Sequence, residues 1–171
     1  AETAALTKAL QRFALIYSDI AFEMTSNGKK KMRFLAGQNR KERFFDCFGQ
    51  QLSDFECESR GINIRASLSA PHEHHATQNR LFIYINGRYI RDKALNQAVI
   101  RSYEGMIPPG RFPAAVLDLE MDPAQIDFNV HPQKLEVRFS DPRLITGVVI
   151  NRLREFLSTS PWVTKTQKQN S

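Results

Sequence analysis

The segment RLFIYINGRYIRDKALNQAVIR, residues 80–101, contains a strand, a turn and a helix in close succession. Its first run, RLFIYI, is apolar on both faces, which is typical of a central strand rather than an edge strand. Asn86 and Gly87 form a turn signal, because both residues tolerate positive φ. Asp92 can cap a helix predicted over residues 92–104. A buried strand followed at once by a turn and a helix indicates a sheet with helices packed against it.

The residues before this segment predict two helices and a hairpin. Periodic apolar residues indicate an amphipathic helix over residues 3–17. Two alternating runs then flank Asn27-Gly28, which is a strong hairpin signal. A short helix around residues 40–49 follows. It is predicted to carry three phenylalanines inward, namely Phe44, Phe45 and Phe48.

Beyond this helix, strands and helices mix without a regular alternation. One strand pair turns at Arg60-Gly61, and FPAAVLDLEM is a further, mostly buried strand. Gly105 is expected to end the helix of the opening segment. The last helix, in SDPRLITGVVINRLREFL, has Ser140 or Asp141 as its cap. The pattern therefore predicts an α+β fold, in which a mixed β-sheet has helices packed mainly on one face.

The length of 171 residues fits one domain with an appendage. We predict a domain over residues 1–157 and the start of a disordered linker over residues 158–171, which lack periodicity and have few apolar residues. No apolar run reaches the ~18 residues of a membrane span, and the N-terminus has no signal-peptide pattern. It also lacks an initiator Met, which suggests a fragment of a longer protein. Cys47 and Cys57 favour free thiols in a reducing compartment.

Two motifs resemble functional sites but are better explained as loops. GMIPPGRF, residues 105–112, has the glycine spacing of a phosphate-binding loop, but it lacks the Lys and the Ser/Thr, and its prolines have no N–H donors. His72, His74 and His75 lack metal-site spacing and neighbouring ligands, so a solvated loop is predicted. No nucleophile elbow GxSxG is present. The residues therefore predict no metal site and no catalytic triad.

Basic residues cluster in the opening segment, in a chain with a net charge of +6. Lys93 lies near a helix N-terminus, where a cation does not stabilise the helix, so helix stability does not explain it. A patch that contacts phosphates is one interpretation of the cluster, and an ordinary solvated basic face is the other; charge alone favours neither. The members of the cluster are Arg80, Arg88, Arg91, Lys93 and Arg101, against one acid, Asp92.

A second motif, DFNVHPQKLEVRF, spans residues 127–139. Apolar residues alternate on both sides of His131-Pro132, and Pro132 ends the first strand. Lys134 then lies on the polar face of the second strand, beside a rigid kink. There it could deliver its ammonium group to an anion, or it could be an exposed strand lysine paired with Glu136. The pattern supports the two interpretations equally.

Both motifs resemble those of one family. DFNVHPQKLEVRF closely resembles the N-V-H-P-x-K-x-E-V-R-F run of the MutL family of DNA mismatch repair proteins, and YINGRYIRDKALNQAV resembles the V-N-G-R-x-x-x-D segment of the same family. The opening ETAALTKALQRFALIYSDIAFEMTSNGK is similar to the helix and hairpin that begin the second N-terminal domain of that family. The resemblance spans about residues 1–157.

The resemblance implies a fold like the second domain of a small-subunit ribosomal protein, also seen in gyrase B, with a left-handed βαβ crossover in place of the usual right-handed one. It implies an upstream ATP-binding domain of the gyrase/Hsp90/histidine-kinase/MutL (GHKL) type. The motifs of that domain are not in this sequence, so the isolated chain is expected not to be an enzyme, and ATP and Mg²⁺ would belong to the intact protein. Lys134 stands at the position of the family lysine that reaches the γ-phosphate of ATP.

The resemblance also implies a basic DNA-binding groove, in which Arg88 and Arg91 match the family by type and Lys93 stands where several relatives have Arg. Implied partners are DNA, the upstream domain, a MutS-type mismatch sensor and other repair proteins, with ATP-dependent dimerisation in the intact protein and no membrane. The expected location is the cytoplasm of a bacterium or the nucleus of a eukaryote. The alternatives to a MutL-type transducer and DNA-binding module are a topoisomerase-like transducer, another nucleic-acid-binding domain of the same fold superfamily, or a protein-interaction domain. The N-V-H-P-x-K run argues against the first two.

Overall fold

A computed structural model describes residues 1–128, 135–160 and 162 of the chain. The chain divides into two compact units, Ala1–Leu52 and Ser53–Ser171. No helix in the described residues is long and apolar enough to cross a membrane. The predicted division at residue 157 stays a prediction, because most of the expected linker lies outside the described residues.

Two helices and a hairpin form the first unit, in the order α1 (Glu2–Ile16), β1 (Phe22–Ser26), β2 (Lys29–Phe34) and α2 (Arg40–Phe48). The hairpin turn is where the sequence predicts it, and Asn27 and Gly28 have φ of 52° and 71°. A reciprocal capping box begins α2, since Asn39 and Glu42 each accept a hydrogen bond from the backbone N–H of the other. Gly49, in the left-handed conformation, ends α2.

Arg43 of α2 is fully buried within this unit. Burial lowers the pKa of its guanidinium, and the nearby carboxylate of Asp19 opposes that shift. Its guanidinium carbon also lies 5.6 Å from the ring centroid of Phe22 and 5.9 Å from that of Phe34. One side chain therefore joins the end of α1, the segment after it and the end of β2. It does so by donating to the backbone carbonyl oxygens of Ala14 (2.6 Å), Tyr17 (2.6 Å), Ser18 (2.9 Å), Ile20 (2.6 Å) and Leu35 (2.8 Å).

The prediction that three phenylalanines of α2 point inward is wrong for Phe45. Phe44 is fully buried, and the half-buried Phe48 packs on it with ring centroids 4.7 Å apart. Phe45 is 46% exposed. Successive helix residues are about 100° apart, and Arg43 and Phe44 already occupy the inward positions. A pattern that considers only apolar residues does not anticipate an arginine on the inward face.

Cys47, also on α2, is expected to react slowly with alkylating reagents. Both cysteines are free thiols, and burial, with a smaller contribution from Asp46, raises the pKa of Cys47 to about 12. At pH 8 its thiolate fraction is then about 10³-fold below that of a thiol with the ordinary pKa of 9.0. Mass spectrometry after iodoacetamide treatment should show slow labelling of Cys47 that accelerates as pH rises and becomes ordinary in urea. Rapid labelling of Cys47 in the folded protein at pH 8 would contradict the raised pKa of its thiol.

A five-stranded sheet, a short two-stranded sheet and two helices make up the second unit. The larger sheet has the strand order β3-β4-β7-β5-β6, and the smaller sheet pairs β8 with β9. A 3-10 turn, Pro123–Gln125, precedes β8. The elements of this unit are β3 (Ser53–Ser59), β4 (Ile62–Leu68), β5 (Leu81–Ile85), β6 (Arg88–Ile90), α3 (Lys93–Ser102), β7 (Ala115–Glu120), β8 (Ile126–Phe128), β9 (Val137–Phe139) and α4 (Pro142–Thr159).

The five-stranded sheet is mixed, as predicted. Its neighbouring strands pair antiparallel except β5 and β7, which are parallel and are connected through β6 and α3. β5 lies between β7 and β6, and all five of its residues are buried. RLFIYI is therefore an internal strand, as its apolar character on both faces predicts. The left-handed sense of the β5-α3-β7 crossover stays a prediction.

The core of this unit lies between one face of the sheet and the helices. Alternate residues of β5, which are Leu81, Ile83 and Ile85, belong to one cluster with buried residues of α3 and α4. Both helices contribute buried apolar side chains to this core. They are Leu95, Ala98 and Val99 of α3, and Val148, Leu153 and Leu157 of α4, whereas Leu144 and Phe156 are only half-buried.

The ends of α3 and α4 can be compared with the predicted caps. Asp92 caps α3 through a 2.8 Å bond from the backbone N–H of Leu95, and Asp141, rather than Ser140, caps α4. The predicted end of α3 at Gly105 is wrong, since the helix ends at Ser102. The backbone N–H groups of Tyr103 and Glu104 donate to carbonyls three residues back, at 3.1 Å each, so the α-helical bonding stops before Gly105. The buried Tyr103 hydroxyl donates to the Ser69 carbonyl at 2.8 Å.

Candidate nucleic-acid interface

Arg88 follows a tight turn that the end of β7 holds in place. Asn86 and Gly87 both have positive φ, of 48° and 78°. The Asn86 amide donates to the carbonyl of Met121 and accepts from its backbone N–H, both at 2.9 Å, while the backbone N–H of Asn86 donates to Leu119 at 2.8 Å. These bonds fix the direction in which β6 begins, and with it the position of Arg88.

The Arg88 side chain lies over the ring of Phe128, with its guanidinium carbon 4.5 Å from the ring centroid. Phe128 is the last residue of β8, and Arg88 itself is exposed. A guanidinium that stacks on an aromatic ring keeps its N–H donors at the edge, where they remain able to contact an anion. The ring therefore orients the arginine without using its N–H donors.

Arg91 and Lys93 lie on either side of the Asp92 cap, at the junction of β6 and α3. The backbone N–H of Arg91 donates to the carbonyl of Leu135 at 2.7 Å, and so joins this junction to the segment that leads into β9. Beside the bond is a cavity of about 320 Å³. Its lining residues are Arg91, Asp92, Lys93, Glu136, Val137 and Arg138.

Three of these lining residues are cations and two are acids. The Asp92 carboxylate is already engaged by the N–H of Leu95. Arg138 is exposed on β9 and adds a basic residue that sequence analysis did not assign to the site. The signal that could have found it is the alternation around Val137 and Phe139, which places Arg138 on the polar face of β9. The resulting surface is basic and open, and suits an extended polyanion such as a phosphate backbone.

The other predicted basic residues lie elsewhere. Arg101 is in the last turn of α3, where its carbonyl accepts a 2.6 Å bond from Arg154. Arg80 precedes β5, and its charge acts on His75. The structure therefore brings Arg88, Arg91 and Lys93 to the segment around β6 and the start of α3, and places Arg80 and Arg101 near other groups.

The two loops that contain GMIPPGRF and the histidines are bonded to each other. The Arg111 guanidinium donates to Nδ1 of His74 at 2.9 Å and to the His74 carbonyl at 3.2 Å, and His75 pairs with Phe112 in an isolated β-bridge. Burial, and then the charges of Arg80 and Arg111, lower the pKa of His75. The predicted solvated loop is thus partly buried at His74 and His75. Among the described residues, no group of three or more His, Cys, Asp or Glu side chains could hold a metal.

Lys134 lies outside the described residues, within the gap at 129–134. The described residues on either side of that gap both touch the basic segment: Phe128 stacks with Arg88, and Leu135 accepts the bond from Arg91. The two motifs that sequence analysis singled out are therefore adjacent. Their adjacency depends on β8 and β9 lying beside β6, which local sequence patterns do not reveal.

Solved structures share this fold at low sequence identity. The N-terminal domain of a DNA repair protein superposes with a TM-score of 0.70 at 22% identity, and the match covers 91% of this chain and 53% of the solved chain. For the Aquifex aeolicus MutL ATPase domain complexed with ADP, the match covers 86% of this chain and 47% of the solved chain, with a TM-score of 0.58 and 20% identity. For the ATPase domain of Thermus thermophilus gyrase B, the match covers 97% of this chain and 51% of the solved chain, with a TM-score of 0.53 and 14% identity. The fold is therefore one found in the ATPase domains of MutL and gyrase B.

Sequence comparison narrows this class to one family. The family described as DNA mismatch repair protein, C-terminal domain, matches residues 42–158. MutL of Anaeromyxobacter sp. (strain K) is 33% identical over 166 residues, and MutL of Pelobacter propionicus is 35% identical over 162 residues. These matches cover 95% and 92% of this chain. The chain belongs to the MutL family of DNA mismatch repair proteins. It spans 27% and 26% of the length of these two relatives.

Proposed function

We propose that this chain is the transducer and DNA-binding module of a MutL-type GHKL ATPase that acts in DNA mismatch repair. The observation that carries the proposal is the 2.7 Å bond from the Arg91 N–H to the Leu135 carbonyl. It joins the basic N-G-R segment to the residue directly after Lys134. Two groups that are neighbours in one structure can couple DNA binding to nucleotide state through a short, direct path.

The DNA-binding part of the proposal rests on charge and exposure. Arg88, Arg91, Lys93 and Arg138 are all exposed around the start and end of β6 and along β9. Such side chains contact phosphates without reading sequence, so binding should be largely nonspecific and strongly dependent on salt. Arg80 and Arg101 would extend the contact with a longer duplex.

The nucleotide part of the proposal assigns Lys134 to the γ-phosphate of ATP, bound by an upstream ATP-binding domain. A compact ammonium charge interacts strongly with the triphosphate and loses that interaction after hydrolysis. Contact that differs between two nucleotide states is what a conformational switch requires. Mg²⁺ and the catalytic base would come from the upstream domain, so the isolated chain would not hydrolyse ATP. The MutL ATPase domain complexed with ADP supports nucleotide binding by the intact protein.

In the intact protein this module would work with a MutS-type mismatch sensor and other repair proteins, and with a second copy through ATP-dependent dimerisation. The matched relatives are bacterial MutL proteins, which favours a cytoplasmic location. Membership of the MutL family sets aside the topoisomerase-like transducer and the generic nucleic-acid-binding domain, although gyrase B shares the fold.

Reversing the charge of Arg91 and Lys93 together is expected to weaken DNA binding and flatten its salt dependence. Each phosphate contact contributes about 0.9 to the slope of log K against log salt, so losing both contacts should reduce the slope by about two. Fluorescence anisotropy with a labelled duplex at several salt concentrations measures both quantities. Arg91→Glu/Lys93→Glu is the test variant.

Lys8→Glu/Arg152→Glu is its matched control, because it removes the same amount of charge from the chain's net +6. The charge of Arg152 lies close enough to Cys57 of β3 to interact with it. Because β3 and β6 form opposite edges of the sheet, Arg152 is remote from Arg91 and Lys93. The control should keep nearly the wild-type slope. An unchanged affinity and slope for Arg91→Glu/Lys93→Glu, or equal losses in both variants, would remove this surface from the proposal.

A further inference from the structure

The β1-β2 hairpin concentrates positive charge on the first unit. Residues 22–34 include four basic side chains and one acidic side chain, Glu23. All four basic side chains are exposed. Like charges close together on a sheet repel each other, so the stability of the hairpin does not explain this composition. The basic residues are Lys29, Lys30, Lys31 and Arg33, all on β2.

A β-bulge brings two of these residues onto one face of the hairpin. Arg33 pairs with Glu23, and Lys30 pairs with Thr25. The register shifts between these two pairs, which leaves Lys31 as the extra residue of β2. Glu23 and Thr25 are two positions apart on β1, so they and their partners share a face. Residues three positions apart on a regular strand point to opposite faces, so the bulge is what unites Lys30 with Arg33.

The other face of the hairpin is apolar. Phe34 is fully buried there, and Met24 and Met32 beside it are half-buried. Lys29, next to the turn, pairs with Ser26 and belongs to this second face. The charged face is therefore the one that is open to a ligand. We call its two basic residues, together with the bulged residue between them, the hairpin cations: Lys30, Lys31 and Arg33.

Two of the hairpin cations have no carboxylate partner among the described residues. These two are Lys31 and Arg33. The Lys30 ammonium lies 3.2 Å from a carboxylate oxygen of Glu23, but the two side chains remain 65% and 42% exposed. A surface ion pair of this kind contributes little energy, so Lys30 can exchange Glu23 for another anion at low cost. The positive charge of this face is thus accessible to a polyanion.

Lysines on an exposed hairpin can also serve to prevent pairing with strands of other molecules. A charge at the edge of the hairpin is sufficient for that purpose, and it requires no bulge. The bulge in β2 instead moves Lys30 to the face of Arg33 and concentrates positive charge on that face. A concentrated charge of one sign attracts a partner of the opposite sign.

We infer that the hairpin cations form a second contact with the phosphate backbone of duplex DNA, separate from the candidate interface of the second unit. The inference rests on the proposed function, which already makes duplex DNA a ligand of this protein, and extends it to the first unit. A two-stranded β-ribbon fits the major groove of B-DNA, which is about 12 Å wide. Cations on the ribbon then contact phosphates without reading sequence. The charged face has no apolar side chain to insert into lipid, which argues against a membrane surface as the ligand.

Neutralising two hairpin cations is expected to reduce the salt dependence of DNA binding. Lys31→Gln/Arg33→Gln removes two charges and avoids placing an acid opposite Glu23. Each lost phosphate contact lowers the slope of log K against log salt by about 0.9, so the slope should fall by about two. Fluorescence anisotropy of the intact protein with a labelled duplex measures the slope. Urea unfolding at the wild-type concentration would confirm that the variant is folded.

Lys8→Gln/Arg152→Gln is the matched control. It removes the same charge from α1 and α4, outside both the hairpin and the candidate interface of the second unit. The slope for this control should stay close to that of the wild type.

Lysine acetylation, followed by mass spectrometry, gives a second readout that needs no variant. An ammonium group held against a phosphate is shielded from the reagent, so saturating duplex should slow acetylation of Lys30 and Lys31 about fivefold or more. Lys8, which is exposed on α1, should react equally with and without duplex. High salt should restore the reaction of Lys30 and Lys31, because it releases the duplex.

Acetylation of Lys30 and Lys31 at the same rate with and without duplex would overturn the inference. A salt slope for Lys31→Gln/Arg33→Gln equal to that of the control would also overturn it. So would a variant that loses binding to labelled polyglutamate while it keeps binding to duplex, because that result would assign the hairpin to an acidic protein.

The proposed function is tested separately by the second unit. It fails if duplex does not slow the acetylation of Lys93 and Arg91→Glu/Lys93→Glu binds DNA as the wild type does. Protection of Lys93 without protection of the hairpin cations would contradict only the second contact.

Discussion

Replacing Arg43 with Met should destabilise the first unit more than any other single change considered for that unit. The guanidinium is fully buried and donates to five carbonyl oxygens, four within residues 14–20 and the fifth at Leu35. Two of them, at Tyr17 and Ser18, also accept a backbone N–H. Methionine fills similar space but has no donor. Each buried carbonyl left without a donor costs about 1–3 kcal/mol, so a loss of at least about 3 kcal/mol in the free energy of unfolding is expected.

Arg43→Lys should fall between the wild type and Arg43→Met. A lysine keeps a positive charge but has three donors in a compact group, which cannot reach five carbonyls spread around a planar guanidinium. Its ammonium group would also be more costly to bury than a guanidinium, which is more weakly hydrated. The expected order of stability is therefore arginine, lysine, methionine.

Urea unfolding followed by circular dichroism, with amide hydrogen exchange in α1 and the β1-β2 hairpin, measures this prediction. Arg33→Met, at an exposed position of β2, is the control and should change stability by less than about 0.5 kcal/mol. The exchange data should show the loss of protection first in the first unit. An Arg43→Met variant as stable as this control would show that the five carbonyls find other partners, and would refute the role assigned to Arg43.

The features of the fold that sequence predicts well are those with local causes. The turns at Asn27-Gly28 and Asn86-Gly87 require positive φ at both residues, and few residue types tolerate it. The cap at Asp92 acts over three residues. Such signals are complete within a short stretch of chain, so they are readable without knowledge of the tertiary structure.

What sequence misses depends on residues far apart in the chain. The inward position of Arg43, which displaces Phe45, is explained by carbonyls that lie 8 to 29 residues away. The bonds of Asn86 to Met121 exist because β5 and β7 are parallel neighbours. Neither contact leaves a periodic signal, because the pattern of apolar residues does not record which strands or helices become neighbours.

In the candidate site, too, local features are predictable from sequence and contacts between distant residues are not. Arg88, Arg91 and Lys93 are found from charge and from the resemblance to the MutL family, and the structure places them around β6 and the start of α3. The stacking of Arg88 on Phe128, and the place of Arg138 beside the cavity, follow only from the position of β8 and β9. Sequence therefore identifies the residue types of the candidate site, and the fold identifies which of them lie close together.

Removing the ammonium group of Lys134 should have the largest effect on the activity of the intact protein. A single preorganised charge at a phosphate is worth about 10²-fold or more in turnover when it acts on the developing charge of the transition state. Lys134→Ala is therefore expected to lower ATP turnover about a hundredfold. Lys134→Arg keeps the charge but changes its shape, so an intermediate rate is expected.

The Lys134→Ala substitution should leave folding unchanged and should affect DNA binding only slightly. The sequence pattern places Lys134 on the polar face of its predicted strand, so Lys134→Ala should unfold at the wild-type urea concentration. Its DNA affinity should differ by no more than one phosphate contact. Lys29→Ala, at an exposed lysine of the hairpin, is the control for loss of one positive charge.

The central claim, that this module completes an ATPase whose other half lies in a separate domain, is tested most directly by the steady-state rate of ATP hydrolysis by the intact protein. Wild type, Lys134→Ala and Lys29→Ala would be compared at saturating ATP, each confirmed to be folded. The account predicts a rate about a hundredfold lower for Lys134→Ala and a rate close to that of the wild type for Lys29→Ala. Equal rates for all three proteins would contradict it.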